Sequence, residues 1–275
     1  MPSRKNGRTR RHRKSRLSKL TAKNIGKCAP GNRQKDGKCL PTEIRSRIST
    51  TNSRCNSDDE HCLLDAMQEF TANDRELLRK KYLRPRRPAA WLKDPDQWMD
   101  NFNISDVMEQ YQTAYPWFKF VGVFPIDFSI QDPYAQSVRK CLQPEICNLR
   151  ILEERAKGTK ALGFVFNLDP HNKSGSHWVA LYCWIGEGEH WCAYFDSYGY
   201  DVPRFIAILM RWLKSQDPQM KLMYNARRFQ YGGSECGMFS MYFLICMLNG
   251  IGFKEFCKDS VSDEFMLKLR KVLFT

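Results

Sequence analysis

The second half of the chain contains short apolar runs separated by turn-forming residues, a pattern typical of a buried sheet. Residues 162–168, 178–185 and 191–195 are too short for long helices and rich in aromatic and β-branched side chains, as buried strands are. The glycine-bearing segment 186–188 between the last two runs predicts a β-hairpin. A longer apolar run at 237–248 follows two glycines and predicts a buried helix. Strands followed by helices indicate an α+β fold.

The predicted elements differ between the two halves of the chain. From 41 to about 115 the apolar residues recur with a helical period. Three helices are expected there, with their starts at capping residues: Ser57, Asn73-Asp74 and Ser105. After Pro116 the helical period gives way to short apolar runs. The remaining predicted elements are strands at 121–128 and 221–229 and helices at 204–213 and 262–274.

The positive charge of the chain is concentrated at its N-terminus. Residues 1–40 hold fourteen Lys and Arg residues and one acid, whereas residues 41–275 hold 30 basic and 29 acidic residues. A basic segment without aromatic residues cannot bury enough apolar surface to fold alone. These shifts predict a disordered basic tail and loop at 1–40, a helical N-terminal domain at 41–115 and an α+β domain at 116–275.

The cysteines, eleven in number, indicate reduced thiols rather than a disulfide framework, because no secretory signal precedes them. Four of them could instead form a zinc site, but no CxxC pair supports it: Cys28, Cys39, Cys55 and Cys62. We therefore expect no metal and no cofactor. The longest apolar stretch, near 238–248, is too short for a bilayer, so no membrane span is expected.

One cysteine stands apart because it lies at the start of the predicted buried helix. Cys236 follows a glycine loop, and the amides and dipole of a helix N-terminus favour the reactive thiolate. His177 immediately precedes the central predicted strand and could be the base that such a thiol needs. Asp196 ends the next strand nineteen residues later, so hairpin pairing could bring it to His177. Gln230 could donate its side-chain amide to an oxyanion, together with the backbone N–H of Cys236.

Each of these residues also has an ordinary structural explanation. Most cysteines are small buried hydrophobes, and a single histidine before a strand is more often structural than catalytic. Asp196 could merely stabilise the turn that follows it, and Gln230 could be a surface amide. His190 with Asp201 is the alternative pair of base and acid. The order His, Asp, Gln, Cys, with the cysteine at a glycine-framed helix start, favours catalysis with His177 as the base.

The same residues carry a resemblance to a known family. The segments HWVAL at 177–181, YFDSYG at 194–199 and QYGGSECG at 230–237 resemble the SUMO and ubiquitin-like-protein protease superfamily, which includes the adenovirus proteinase. With its helical N-terminal region and PIDF at 125–128, the chain looks most like the processing cysteine proteases of large nucleocytoplasmic DNA viruses. The resemblance implies a papain-like protease core of the adenovirus proteinase or SUMO protease type at 116–275. It also implies roles for four residues: Cys236 as nucleophile, His177 as base, Asp196 as the acid that orients it, and Gln230 in the oxyanion hole.

The resemblance further implies a polypeptide substrate and a task. Trp178 matches an aromatic residue that lies near the substrate channel in the family, and Gly233 in the glycine loop is expected to contact substrate there. The channel of the family is narrow, which implies cleavage after small residues of the Gly type. The implied task is the processing of viral structural polyproteins during particle assembly, in the host cytoplasm at the virus factory and in the virion.

Three alternatives stay open on the sequence. A protease that removes SUMO-like or ubiquitin-like modifiers has the same chemistry, and some members of the superfamily transfer acetyl groups with the same triad. The third is a virion nucleic-acid-binding protein led by residues 1–24, which hold ten basic residues and no acid. This tail is predicted to contact phosphates without sequence specificity, although a nuclear-import-like or solubilising segment has the same composition. The sequence does not indicate an oligomeric state.

Overall fold

A computed structural model describes residues 20–32, 37–47, 55–56, 58–133 and 140–275. These residues form a five-stranded sheet that is covered on both faces, preceded by a group of short helices. The strands are β1 (Phe118–Pro125), β2 (Ala161–Asn167), β3 (Trp178–Trp184), β4 (Trp191–Phe195) and β5 (Lys221–Tyr224). The helices are α1 (Ala22–Ile25), α2 (Thr42–Arg45), α3 (Glu60–Asp65), α4 (Ala72–Tyr82), α5 (Asn101–Ala114), α6 (Pro144–Cys147), α7 (Ile151–Ala156), α8 (Arg204–Gln216), α9 (Cys236–Leu248), α10 (Phe253–Phe256) and α11 (Asp263–Leu273).

The sheet keeps its strands in chain order and is mixed. The β1–β2 and β4–β5 pairs are parallel, whereas β3 runs antiparallel to both β2 and β4. The predicted hairpin is the β3–β4 pair, with Ala180 opposite Phe195. Because β3 begins at Trp178 and β4 ends at Phe195, the residues just outside the two strands meet at the open end of the hairpin.

The central strands are buried on both faces because their side chains alternate between two hydrophobic clusters. On β3 the even-numbered side chains from Trp178 to Tyr182 pack in the cluster that contains α9. The odd-numbered side chains from Val179 to Cys183 pack in the cluster that contains α8. Helix α5 joins the first cluster and packs on β1, so it shares a core with the sheet. A third, small cluster holds the preceding short helices together.

Helix α9 is the apolar helix predicted at 237–248. All of its residues are buried, which explains why it is apolar on every side. It packs on β3, and its first turn lies at the start of that strand, since a methyl group added at Gly237 would lie 3.3 Å from Cδ1 of Trp178. None of the helices in the described ranges is long and apolar enough to cross a membrane.

The helix caps expected in the N-terminal region are wrong by two to five residues. Helix α3 is capped by Asp59 and α4 by Thr71, while Asp100 rather than Ser105 caps α5; Ser57 lies outside the described residues. Several oxygen-bearing side chains adjoin each start, and each can accept from an amide in the first turn. Sequence spacing alone does not show which of these side chains becomes the cap.

Two strands also end earlier than expected. Strand β1 ends at Pro125 rather than 128, because proline cannot donate to a ladder. Strand β5 ends at Tyr224, because the side chain of Asn225 binds the main chain of Asp196 instead. The short helices α6 and α7 were not predicted.

The predicted tail extends too far into the folded region. Leu20 is buried in the main cluster, and α1 follows it directly. Residues 1–19 and 33–36 of the predicted tail and loop lie outside the described residues. The other end of the chain is also anchored, because Thr275 exchanges backbone hydrogen bonds of 3.0 Å with Pro85 and Arg87.

The expectation of reduced thiols is wrong for eight of the cysteines. Four disulfides are present: Cys28–Cys39, Cys55–Cys62, Cys141–Cys147 and Cys183–Cys192. The first two use the cysteines considered as zinc ligands. All four join residues 6 to 11 positions apart, so turns and strand register create the proximity, which a count of cysteines does not reveal. Cys236, Cys246 and Cys257 are free.

Candidate active site

The open end of the β3–β4 hairpin brings a histidine and an aspartate together. His177 directly precedes β3, and Asp196 directly follows β4. Nε2 of His177 lies 2.8 Å from Oδ1 of Asp196. Asp196 is fully buried and His177 is nearly so. The contact expected from the hairpin is therefore present, and it leaves the Nδ1 edge of the imidazole for another partner.

Asp196 is held in place by a residue that the sequence did not single out. Its backbone N–H donates to Oδ1 of Asn225 at 2.8 Å, and its carbonyl accepts from Nδ2 of Asn225 at 2.7 Å. Asn225 is buried and directly follows β5. Its amide thus binds both backbone groups of Asp196 and fixes the end of β4. No sequence spacing links residues 196 and 225, because the parallel β4–β5 pairing creates their contact.

The thiol that faces this pair belongs to Cys236, the first residue of α9. Its sulfur lies close enough to His177 to raise the pKa of the imidazole, and since Asp196 occupies Nε2, Nδ1 is the nitrogen left for the thiol. Cys236 is 2% exposed. The amides at the start of α9 lie around it, and they favour negative charge there.

The electrostatic surroundings favour a charged histidine. Burial alone would lower the pKa of His177, but the hydrogen bonds and negative charges of Asp196 and Cys236 raise the pKa to about 9. A histidine with this pKa is an imidazolium at neutral pH. An imidazolium next to a thiol at a helix N-terminus stabilises the thiolate. The arrangement can therefore supply a charged nucleophile and an acid that returns the proton.

Gln230 lies in the loop that leads to the thiol, and its amide orientation is fixed. Its Oε1 accepts from Oγ of Ser197 at 2.7 Å, so Nε2 points the opposite way. Nε2 donates to the carbonyl of Gly232 at 2.9 Å. Gln230 is fully buried, which excludes the surface-amide explanation. An amide nitrogen carries two protons, so one proton remains for another acceptor.

The indole of Trp178 packs against the first turn of α9, beside the thiol. Its Nε1 donates to the carbonyl of Met99 at 2.9 Å, and Met99 itself packs against the first turn of α9. A methyl group at Gly237 would lie 3.2 Å from Sδ of Met99, so this position has room only for glycine unless Met99 moves. A groove of about 500 Å³ opens along Trp178 and Met99. Gly233 lies on the exposed surface of the loop, where a methyl group would meet nothing within 4 Å, and its contact with substrate stays a prediction.

The residue before the thiol is fixed by a buried ion pair. Oε1 of Glu235 lies 3.1 Å from Nη1 of Arg270 on α11, and both side chains are buried. The guanidinium of Arg270 also lies 3.8 Å from the ring centroid of Trp91 and donates to the carbonyl of Gln97. The C-terminal helix and the segment before α5 thus meet at the start of α9.

The other described histidines lie away from the thiol. His190 contacts Asp217 rather than Asp201, with 2.8 Å between Nδ1 and Oδ2. His171 contacts Asp127 at 2.6 Å, and His61 contacts Thr275 at 3.2 Å. The alternative pairing of His190 with Asp201 is therefore wrong. Within the described ranges, no cluster of metal-ligating side chains forms.

Comparison with known proteins gives relatives among viral cysteine proteases. No protein-family model matches the chain. A thiol protease of Acanthamoeba polyphaga mimivirus is 28% identical over 186 residues, which are 65% of this chain and 57% of that protein. The match thus spans little more than half of the mimivirus protein. A cysteine protease of African swine fever virus is 26% identical over 281 residues, covering 94% of this chain and 98% of the viral one. In another isolate the protein is named a SUMO-1 cysteine protease, and it is 25% identical over 285 residues, with the same coverage.

A solved structure shares the fold. The crystal structure of the African swine fever virus protease superposes with a TM-score of 0.72, at 20% identity, over 90% of this chain and 95% of that one. The fold expected from the sequence, an α+β cysteine protease core with an N-terminal helical region, is confirmed.

Proposed function

We propose that the chain, which is similar to viral cysteine proteases, is a cysteine endopeptidase that cleaves after small residues and processes viral structural polyproteins. The observation that carries the catalytic assignment is the 2.8 Å contact of His177 with Asp196, beside a cysteine at the start of a helix that raises the pKa of the same imidazole. These residues supply the three functions that acyl transfer by a thiol requires: a nucleophile, a proton carrier and a group that orients it.

The proposed reaction begins with the ion pair of thiolate and imidazolium. The Cys236 sulfur attacks the scissile carbonyl, and the carbonyl oxygen becomes an oxyanion. The second Nε2 proton of Gln230 and the backbone N–H of Cys236 donate to that oxyanion. His177 gives its proton to the leaving amine, which departs and leaves a thioester. His177 then takes a proton from water, whose oxygen attacks the thioester carbonyl. The C–S bond breaks, the acyl part leaves as a carboxylic acid, and the ion pair of Cys236 thiolate and His177 imidazolium is restored.

The preference for small residues is supported by the restricted approach to the thiol. Cys236 is 2% exposed, and Trp178 and Met99 pack directly against the first turn of its helix. A substrate residue must bring its carbonyl to the sulfur past these side chains. Glycine has no Cβ to collide with them, so Gly-type residues fit on the acyl side of the bond.

A modifier-cleaving function is the second candidate, because African swine fever relatives are named SUMO-1 proteases. The two functions differ in what must be recognised. A polyprotein site is recognised as an extended peptide in the groove beside Trp178, whereas a modifier must also dock through its folded surface. Both use the same thiol.

The test is to profile cleavage by the full chain. A diverse peptide library is compared with SUMO and ubiquitin fusions, with Cys236→Ser as the inactive variant and Cys257→Ser as the matched control at another free cysteine. We expect cleavage of peptides after Gly, complete dependence on Cys236 and no dependence on Cys257. Cleavage of the fusions alone would replace polyprotein processing by modifier removal. Unchanged activity in Cys236→Ser would contradict the catalytic assignment.

A separate proposal concerns the N-terminal tail. We propose that residues 1–24 tether the enzyme to nucleic acid inside the assembling particle, in the infected cytoplasm and later in the virion. Because Leu20 is part of the folded core, deletion of residues 1–19 removes nine basic residues without disturbing it. Mobility-shift titrations should show tight, salt-sensitive binding of duplex DNA for the full chain only. Equal binding by both forms would contradict the tether.

A further inference from the structure

Tyr198 contacts three separate parts of the active site. Its ring stacks on the imidazole of His177, with 4.8 Å between the ring centroids and 27° between the planes. Its backbone N–H donates to Oδ1 of Asp196 at 2.8 Å. Its hydroxyl donates to the carbonyl of Gly232 at 2.9 Å. One residue therefore contacts the base, the acid and the loop before the nucleophile.

The carbonyl oxygen of Gly232 accepts hydrogen bonds from both the Tyr198 hydroxyl and Gln230, the proposed oxyanion donor. Nε2 of Gln230 donates to this same oxygen at 2.9 Å. A carbonyl oxygen accepts two hydrogen bonds, so Tyr198 and Gln230 fill both positions. The direction of the remaining Gln230 proton therefore depends on where Tyr198 holds the carbonyl of Gly232.

The ring itself is held from the side of the loop. The guanidinium of Arg228 lies 5.3 Å from the ring centroid of Tyr198, and its Nε donates to the carbonyl of Gln230 at 2.7 Å. Burial and, next, the negative charge of Cys236 raise the pKa of Tyr198. The hydroxyl thus keeps its proton and remains a donor throughout the neutral range.

We propose that Tyr198 is a positioning residue with two separable functions. Its ring fixes the plane of the His177 imidazole between Asp196 and Cys236. Its hydroxyl fixes the Gly232 carbonyl and, through it, the Gln230 amide that receives the oxyanion. The inference rests on the proposed acyl-transfer function.

Two variants separate the two functions. Tyr198→Phe keeps the ring and removes only the hydroxyl, whereas Tyr198→Leu removes the aromatic ring as well. Hydrolysis of a fluorogenic peptide amide that ends in Gly-Gly needs the oxyanion donor, but alkylation of Cys236 by iodoacetamide needs only the thiolate. In Tyr198→Phe we expect kcat to fall about two- to tenfold, the worth of one hydrogen bond, with KM and the alkylation rate unchanged. In Tyr198→Leu both kcat and the alkylation rate should fall.

The matched control is Tyr200→Phe. Tyr200 packs on Tyr198 with 5.7 Å between ring centroids, but it is 65% exposed, so removal of its hydroxyl should leave all rates unchanged.

A double variant shows whether the hydroxyl acts through Gln230. In a Gln230→Ala background the further change Tyr198→Phe should have no effect on kcat, because residues that act through one another are not additive. Unchanged kcat in Tyr198→Phe, or a full additional loss in the double variant, would overturn the inference. Neither result depends on the folding of Tyr198→Leu.

The Cys236→Ala variant distinguishes failure of the proposed function from failure of the role of Tyr198. Full activity in Cys236→Ala would refute the proposed function. An inactive Cys236→Ala together with normal kcat in Tyr198→Phe would refute only the role of Tyr198.

Discussion

The two ends of the β3–β4 hairpin carry similar histidine–aspartate contacts in very different surroundings. At the open end, Nε2 of His177 lies 2.8 Å from Asp196. At the turn end, Nδ1 of His190 lies 2.8 Å from Asp217. Both aspartates are buried. Distance and burial alone therefore do not tell which histidine can serve as a base.

The partners of the second ring nitrogen distinguish the two ends. Nε2 of His190 lies 2.7 Å from the carbonyl of Gly186, and Arg155 also donates to Asp217. Both nitrogens of His190 are thus used within a structural network that closes the turn. The second nitrogen of His177 instead faces a thiol at a helix N-terminus. The comparison shows that a catalytic histidine is identified by the partner of its other nitrogen, a reactive group rather than a backbone carbonyl.

Removal of each imidazole should give the largest contrast. His177→Ala should lower kcat/KM by at least about 10³-fold, because both the thiolate and the proton donor are lost. His190→Ala should leave kcat/KM nearly unchanged and lower the melting temperature, since Asp217 loses a buried partner. Peptide hydrolysis and thermal unfolding of both variants check this. Equal losses of activity would mean that the hairpin as a whole, and not His177, supports the reaction.

Gln230, the proposed oxyanion donor, belongs to the open end of the hairpin, where its Oε1 accepts a hydrogen bond from Ser197. Gln230→Ala should lower kcat by about 10²–10³-fold. KM should change little, since the hydrogen bond forms mainly in the transition state. Steady-state kinetics with the Gly-Gly peptide amide measure both constants. A rise in KM alone would make Gln230 a substrate-binding residue.

Neutralising each aspartate should give the smallest effect on rate but a distinct pH signature. The hydrogen bond and charge of Asp196 raise the pKa of His177, so Asp196→Asn should lower that pKa. The imidazolium is then lost at a lower pH, and the alkaline limb of kcat/KM, expected near pH 9 in the wild type, should move toward neutrality. The loss in kcat/KM near neutral pH should be about ten- to a hundredfold, because an amide still accepts a hydrogen bond. In Asp217→Asn the alkaline limb should stay in place, and a shift there would contradict the separation of the two ends.

Periodicity and turn residues predicted the regions that pack most tightly. The hairpin strands, α8, α9 and α11 all lie within three residues of their expected bounds, because each presents a continuous apolar pattern to the core. The N-terminal caps at Asp59, Thr71 and Asp100 were missed, because neighbouring polar residues compete equally for the first turn. The disulfides were missed because pairing depends on local distances and not on the number of cysteines.

The site was predicted in part for the same physical reason. His177 and Asp196 are linked by an antiparallel register, which a sequence reveals through two strands and a short turn. Asn225 reaches Asp196 through a parallel pairing, and Arg270 reaches Glu235 from a helix 35 positions later. Such contacts depend on the packing of distant elements. Tyr198 was visible in the segment after Asp196, but only the structure gives its contacts with His177 and Gly232.

The central claim is that His177, paired with Asp196, holds Cys236 as a thiolate. The difference in ultraviolet thiolate absorbance between the wild type and Cys236→Ser, followed against pH, isolates the ionisation of this one sulfur. The account predicts a thiolate signal at neutral pH, because the His177 imidazolium and the start of a helix both favour the charged sulfur. His177→Ala should abolish this neutral-pH signal, whereas His190→Ala should retain it. A wild type without a thiolate signal at neutral pH, or a signal that His177→Ala leaves unchanged, would contradict the account.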